Sequence, residues 1–334
     1  MRAKWRQLAC ALFVTVLPIN HAAANGGQPL EIRAKPITSF LIGSDQQQFG
    51  PLTFVGGLEM TSREPHFGAI SATTMRDNTI WLITDTGYWI NGILQRDRDG
   101  RAQDINNATF GEIKAAGGAR FSNKWEVDAE GVALTANGTV LISFERDHRI
   151  AEYAWANGDL TFVRQETPPV PLYELRQNRG FEALAIAPSG FAYPDAVVGV
   201  SEKSLDRDAN IMGFINPPGP SNAFEFSVRR TDNFDVTDAA FLPGGDLILL
   251  ERRFNLAQGI AMRLRRIASD ALAPGATVDG PTLLQADMAY QIDNMEGLSI
   301  APISEGRVRL TLVSDDNKSL LQRNLLLEFE MALN

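Results

Sequence analysis

A chain of 334 residues with 44% apolar content and one cysteine can bury a large core but cannot be stapled by disulfides. Its formal charge of −9 becomes about −12 once the three basic residues of the leader described below are removed, a surface that repels nucleic acid and favours cations or metal-bridged anions. No segment beyond that leader approaches the length of apolar sequence needed to span a membrane.

Arg2, Lys4 and Arg6 precede an apolar run over residues 8–17, and Ala22-Ala23-Ala24 supplies a small-residue cleavage site. This pattern predicts a secretory signal peptide over residues 1–24, cleaved after Ala24, and hence a periplasmic or secreted product. Cys10 lies inside the apolar run, so the exported chain contains no cysteine. Residues 25–30 read as a short leader and residues 31–334 as a single domain. From Leu30 to Ser62 the sequence offers one or two strands, at 52–55 and 58–60, after a polar loop at 43–48.

From there one phrase recurs: a turn, a short apolar strand, a hairpin, and a second strand ending on an acid. Phe67-Gly68-Ala69-Ile70-Ser71 is followed by a strand closing at Asp85. Asp128-Ala129-Glu130-Gly131 is followed, across Asn137-Gly138, by a strand closing at Glu145. Gly180-Phe181-Glu182-Ala183 leads to Glu202, Thr237-Asp238-Ala239-Ala240 to Glu251, and Asn294-Met295-Glu296-Gly297 to Asp315. These five copies lie 52 to 63 residues apart.

Further strands follow each pair, for example at 149–155 and 160–164, and no long helical periodicity intervenes. Four short antiparallel strands per unit define a propeller blade. The expectation is an all-β, single β-propeller of five four-stranded blades, or six if residues 30–62 form a degenerate one. The last unit stops after its third strand, so the N-terminal strands are expected to complete it and close the ring.

In a blade the first strand lines the axis and the second returns antiparallel to it. Glu130, Glu182, Asp238 and Glu296, which open inner strands, should therefore share one channel mouth with Asp85, Glu145, Glu202, Glu251 and Asp315. Arg146, Lys203, Arg252 and Arg253 follow the second-strand acids and bring cations to the same face. His66 and His148 belong there too. Crowded carboxylates are relieved by a hard cation, by basic partners or by raised pKa values, and calcium suits an all-oxygen ring. Alternatively the acids brace the blades, each accepting main-chain N–H bonds and pairing with an arginine. That reading explains the regularity better than it explains the two histidines and the doubled Asp315-Asp316-Asn317.

Other chemistries find little support. There is no Gly-x-Ser-x-Gly elbow, no His-Glu-x-x-His pair, no phosphate-binding glycine loop and no cysteine nucleophile. A serine triad built from distant residues, with His66 or His148 as base, stays open. Trp81, Trp89, Trp125 and Trp155 are candidates for a substrate mouth, although tryptophan in a blade is usually core. Asp97-Arg98-Asp99-Gly100 has part of a calcium loop and reads better as a turn.

Gly56-Gly57-Leu58-Glu59, Phe67-Gly68-Ala69-Ile70-Ser71, Asp128-Ala129-Glu130-Gly131, Asn178-Arg179-Gly180-Phe181-Glu182, Asp293-Asn294-Met295-Glu296-Gly297 and Ser314-Asp315-Asp316-Asn317 occur in this order. With them the chain resembles the bacterial phytase-like domain family, named for an esterase-like activity of phytase. Blade one departs from its sisters, with Phe67-Gly68 where they carry an acid. The resemblance implies a secreted propeller that hydrolyses phosphate or carboxylic esters. It is distantly linked to propeller phytases, which hold calcium in an acidic channel and phosphates with Lys and Arg.

The leading expectation is a calcium-assisted hydrolase of a small anionic ester, without nucleic-acid partner or membrane span in the mature chain. Glu130, Glu182, Asp238, Glu296 and Asp315 are the expected metal ligands, Glu182, Glu296, His66 and His148 the catalytic candidates, and Arg146, Lys203 and Arg252 the phosphate contacts. The competing expectation is a non-enzymatic propeller that binds a ligand or protein partner at the same face.

Overall fold

Short runs of alternating or wholly apolar residues, punctuated by Gly, Asn and Asp, leave no element longer than eleven residues among the described residues, and nearly all of the regular structure there is strand. The computed structural model describes residues 26–170, 180–219, 223–255, 257–304 and 306–333. The expected signal peptide, with Cys10 and Ala24, lies outside the described residues, as does the Asn178-Arg179 pair. Among the described residues no helix is long and apolar enough to cross a membrane.

Five sheets form a ring. Their inner strands are Ile70–Arg76, Ala129–Leu134, Phe181–Ile186, Asp235–Phe241 and Asn294–Ser304. Each inner strand packs against its two neighbours, and the last packs against the first. Every blade then steps outward through antiparallel strands, as the repeated sequence pairs anticipate. The main irregular additions are Gln28–Pro29 on blade one and Thr277–Val278, which joins blade three in parallel.

The ring closes through the N-terminal segment. Leu52–Thr61 pairs antiparallel with Asn324–Ala332 and serves as the fourth strand of blade five, with Arg33–Ile37 outside it. Residues 30–62 therefore complete the fifth blade, and the ring has five blades. Such closure ties the two ends of the chain by a ladder of main-chain hydrogen bonds, so opening the ring would expose two blade faces.

The cores lie between blades. One joins blades four and five through Leu250, Leu264, Leu298, Leu312 and Phe329, together with Phe40 and Phe54 from the N-terminal segment. Another joins blades one and two around Trp81, Trp89, Ile142 and Tyr153. Close approach at the axis requires glycine: a Cβ on Gly131 would sit 2.5 Å from the Glu182 carbonyl oxygen, and one on Gly297 would sit 2.8 Å from the Thr73 nitrogen. Both glycines directly follow a glutamate of the repeat, so the tight inner ring fixes where those glutamates stand.

Candidate functional site

Each inner strand slips by one residue against its second strand near the same end. The residue left without a partner is Ser71 in blade one, Glu130 in blade two, Glu182 in blade three, Thr237 in blade four and Glu296 in blade five. A β-bulge of this kind re-aims one side chain out of the ladder, and here it recurs around the ring. The two short members are tied down. Ser71 Oγ donates to the Ala129 carbonyl at 2.6 Å, and Thr237 Oγ1 donates to the Met295 carbonyl at 3.0 Å. In each case the acceptor immediately precedes the glutamate of the next blade.

One residue after the second-strand partner of the residue that precedes each bulge stands a second ring: Asp85, Glu145, Glu202, Arg252 and Asp315. Blade four is thus displaced by one residue from the sequence expectation. Thr237, not Asp238, occupies the bulge, and Arg252, not Glu251, occupies the mouth. Glu251 is fully buried within blade four between Arg263 Nε at 2.7 Å and Arg265 Nη2 at 2.6 Å. Asp238 is buried too, and its carboxylate accepts the main-chain N–H groups of Ala239 at 2.8 Å and Leu298 at 2.6 Å. It braces inner strands four and five.

Electrostatics follow from this crowding. Burial raises the Glu130 carboxyl well above its ordinary range, and Glu182, Glu145, Asp128 and Asp85 push it in the same direction. Burial likewise raises Glu182, helped by Glu202, Glu296 and Glu145 and opposed by Arg252. Glu145, Glu296 and Asp315 are each pushed up to about 7, with burial the largest cause. Arg252 is the cation set into the ring. Its Nη1 donates to Asn294 Oδ1 at 2.6 Å and its Nη2 to Glu202 Oε1 at 3.3 Å, while Nε lies 3.5 Å from Glu296 Oε1.

Two observations fit these residues to a hard cation. Asp128, Glu130 and Glu145 each offer a carboxylate oxygen within 4.8 Å of the others. Buried oxygens also stand without a hydrogen-bond partner, namely Glu296 Oε2 and Asp85 Oδ1. Oxygen donors alone, mutually repelling and incompletely hydrogen-bonded, suit calcium better than a transition metal.

The remaining expected residues divide. Lys203 pairs with Asp235 at 2.6 Å and Glu202 at 3.4 Å, and the half-exposed Arg146 pairs with Asp128 at 2.8 Å. His148 is buried beside Glu145 and Gly180, its Nδ1 without a partner, and burial lowers its pKa. His66 is half exposed and stacks on the Tyr88 ring at 4.2 Å, with Nε2 3.4 Å from the Tyr88 hydroxyl. Its contacts are with Glu64, Tyr88 and Phe110 rather than with the carboxylate rings. Trp81 and Trp89 are core, Trp155 packs edge-on against both, and only Trp125 stands well exposed beside the mouth. Asp97 Oδ1 accepts N–H bonds from Asp99 and Arg101, a turn as anticipated.

Asp128, Asp235 and Asn294 complete the site, although sequence reasoning gave them no role. All stand two residues before a bulge position, a signal that only the structural register makes visible. Blade one's missing acid is also explained. Asp316 of blade five accepts the Ala69 N–H at 2.9 Å, and a Cβ on Gly68 would lie 2.7 Å from its Oδ1. The channel's other end is a cavity of about 340 Å³ lined by Met75, Val132, Leu184, Ala240 and Leu298, so the acids occupy one end only.

A five-bladed β-propeller with carboxylates ringing one end of its channel is the class that fold and site define. A family model described as phytase-like, with esterase-like activity of phytase, matches residues 65–318. The chain belongs to the phytase-like family. No match is found among curated proteins. Similar solved structures include a catalytically inactive virginiamycin B lyase from Staphylococcus aureus with quinupristin, at 10% identity and TM-score 0.41, covering 91% of this chain and 100% of that one. A luciferin-regenerating enzyme matches at 10% identity and TM-score 0.37, covering 78% and 92% of the two chains. A streptogramin B lyase structure matches at 8% identity and TM-score 0.40, covering 87% and 90%. At these values none carries an argument about substrate or chemistry.

Proposed function

We propose that the acidic mouth is a calcium site serving the hydrolysis of a small anionic ester, a phosphoester or a carboxylic ester, in an exported protein. The observation that carries this reading is the bulge ring: it gathers Glu130, Glu182 and Glu296 at the axis and raises their pKa values. Calcium held by Asp128, Glu130 and Glu145 would supply a Lewis acid toward an ester oxygen. Glu296, with a carboxyl near 7 and an unpartnered oxygen, is suited to take a proton from an attacking water. Arg252, between Glu202 and Glu296, is placed to hold the anionic group.

A second reading is a propeller that binds a ligand or partner at this mouth without turnover. It is favoured by the ion pairs already made by Arg146, Lys203 and Arg252, which a phosphate would have to displace.

Calorimetric titration of calcium into chelator-stripped protein, with the Glu182→Gln/Glu296→Gln double variant alongside, separates the readings. The hydrolase reading expects saturable calcium binding, calcium-dependent turnover of phosphoester or acyl-ester panels, and loss of both in the variant. Unchanged calcium affinity and unchanged turnover in a folded double variant would sink it. Binding without turnover across the panel leaves the second reading standing.

A further inference from the structure

The end of the propeller that carries the acids also carries most of its exposed apolar side chains. Among the described residues ten large hydrophobic side chains are exposed, and six stand on the loops, turns and strand ends of this end: Ile42, Trp125, Phe254, Met288, Leu320 and Leu321. The positions follow from the strand order. Leu320 and Leu321 lie between the second and third strands of blade five, and Phe254 lies where blade four makes the same turn. Met288 precedes the inner strand of blade five, and the Ile42 N–H bonds to the neighbouring Ala289 carbonyl at 3.0 Å. Trp125 sits in the short 3₁₀ turn that leads into blade two, on the other side of the ring.

Leu320 and Leu321 are 104% and 92% exposed, and the loop that presents them is built rather than slack. Lys318 reaches across to blade one, where its ammonium donates to the carbonyls of Pro65 at 3.0 Å and Phe67 at 2.5 Å. Asn317 and Lys318 hold positive φ values of 47° and 51°, and Asp316 accepts the Lys318 N–H at 3.1 Å. Strained backbone and a committed cation thus hold out two leucines that nothing in the fold covers. Burying them inward would be favourable by the ordinary hydrophobic gain, so their display calls for an apolar phase outside the chain.

The arrangement selects the kind of phase. A protein partner is recognised through a contiguous, well-packed apolar centre with a polar rim. Here the order is inverted: a charged well lies at the centre and separate apolar tips stand around it. Fluid lipid conforms to separate tips, and a tryptophan beside a lysine, as in Lys124-Trp125, is the residue pattern of a lipid-water boundary. The carboxylates of the well disfavour an anionic bilayer and complement the ammonium groups of a zwitterionic one. From the inverted surface, the built leucine loop and the charge of the well, we infer that this face docks on a zwitterionic phospholipid surface, with the acidic channel opening onto the headgroup layer.

The inference goes beyond the hydrolase reading and is tested without it, by cosedimentation with phosphatidylcholine vesicles in the presence of a chelator. Wild-type protein is expected to partition to the vesicles, and Leu320→Ser/Leu321→Ser to lose at least tenfold in partitioning. Ile303→Ser, on the opposite end, is expected to match wild type. Brominated phosphatidylcholine should quench part of the tryptophan fluorescence, and Trp125→Phe should abolish that part. Absence of wild-type partitioning, equal partitioning by the double leucine variant, or partitioning confined to anionic vesicles would each overturn the proposal. The exposed leucines carry no fold contacts, so the double variant is expected to keep the wild-type melting temperature.

Discussion

Arg252 Nε lies 3.5 Å from Glu296 Oε1, across the junction of blades four and five, and Arg252 is the single basic member of the second ring. It opposes the repulsion felt by both Glu182 and Glu296, whose carboxyls are nevertheless raised. The well is therefore short of positive charge, which a bound cation or protons must supply.

That shortage sets a pH dependence. Glu145 and Glu296 titrate near 7 in the folded protein against an ordinary value of 4.5, so the native state holds their protons more tightly than the unfolded chain. The stability they contribute is complete below about pH 4.5 and is lost as pH rises through about 7. Chelated protein should accordingly melt lower at pH 8 than at pH 5.5, and calcium should raise the melting temperature more at pH 8. Calcium binding at pH 7 should also release protons, read as a dependence of the calorimetric heat on buffer ionisation enthalpy. Heats independent of buffer would refute the raised carboxyls.

Blade four supplies a stability test. Glu251 is fully buried against Arg263 and Arg265, so Glu251→Ala leaves two guanidinium groups in the interior without their shared counter-ion. A loss of about 3–5 kcal/mol is expected, read by urea denaturation. Calcium affinity should stay within twofold, because this side chain faces the blade and not the well.

How much of this the sequence disclosed follows from where the bulges fall. Repeated Glu-Gly and Glu-Ala pairs marked Glu130, Glu182 and Glu296 because a long acid at a bulge remains visible as an acid. In blade four the bulge holds a threonine, and the neighbouring Asp238 mimics the motif one position late. A slip of one residue exchanges the two faces of a strand, and the same slip put Glu251 at the mouth beside Arg252, where only Arg252 stands. Ring closure was readable because blade five lacked a fourth strand and the N-terminal strands lacked a blade. The pairing of Asp316 with blade one was not, since it joins residues 247 positions apart and its local sign is the absence of a side chain at Gly68.

Gly68 gives the corresponding mutational test. It has φ +101°, and an added Cβ would meet the Asp316 carboxylate at 2.7 Å. Gly68→Ala should destabilise by roughly 1–3 kcal/mol from backbone strain, and by more where Asp316 must turn away from the Ala69 N–H. Thermal melting reads the effect, and Gly117→Ala, at a positive-φ glycine with nothing within 4 Å, serves as the control for strain alone. Equal losses in the two variants would dissociate Gly68 from Asp316.

The bulge ring also predicts a gain. Thr237 stands where blades two, three and five present glutamates, and its hydroxyl is occupied only by bonding toward the Met295 and Leu250 carbonyls. Thr237→Glu gives up that bond, at about 1 kcal/mol, and adds a fourth axial carboxylate. In chelator at pH 8 the variant should melt below wild type, because the new charge joins an already crowded well. With saturating calcium the deficit should shrink or reverse, and calorimetry should show tighter calcium binding. The placement of Thr237 separates this outcome from a merely disruptive substitution: Asp238→Glu, one residue away, lengthens a side chain that braces the Ala239 and Leu298 N–H groups and should lose stability with or without calcium. If both variants respond to calcium alike, the ring position assigned to residue 237 is incorrect.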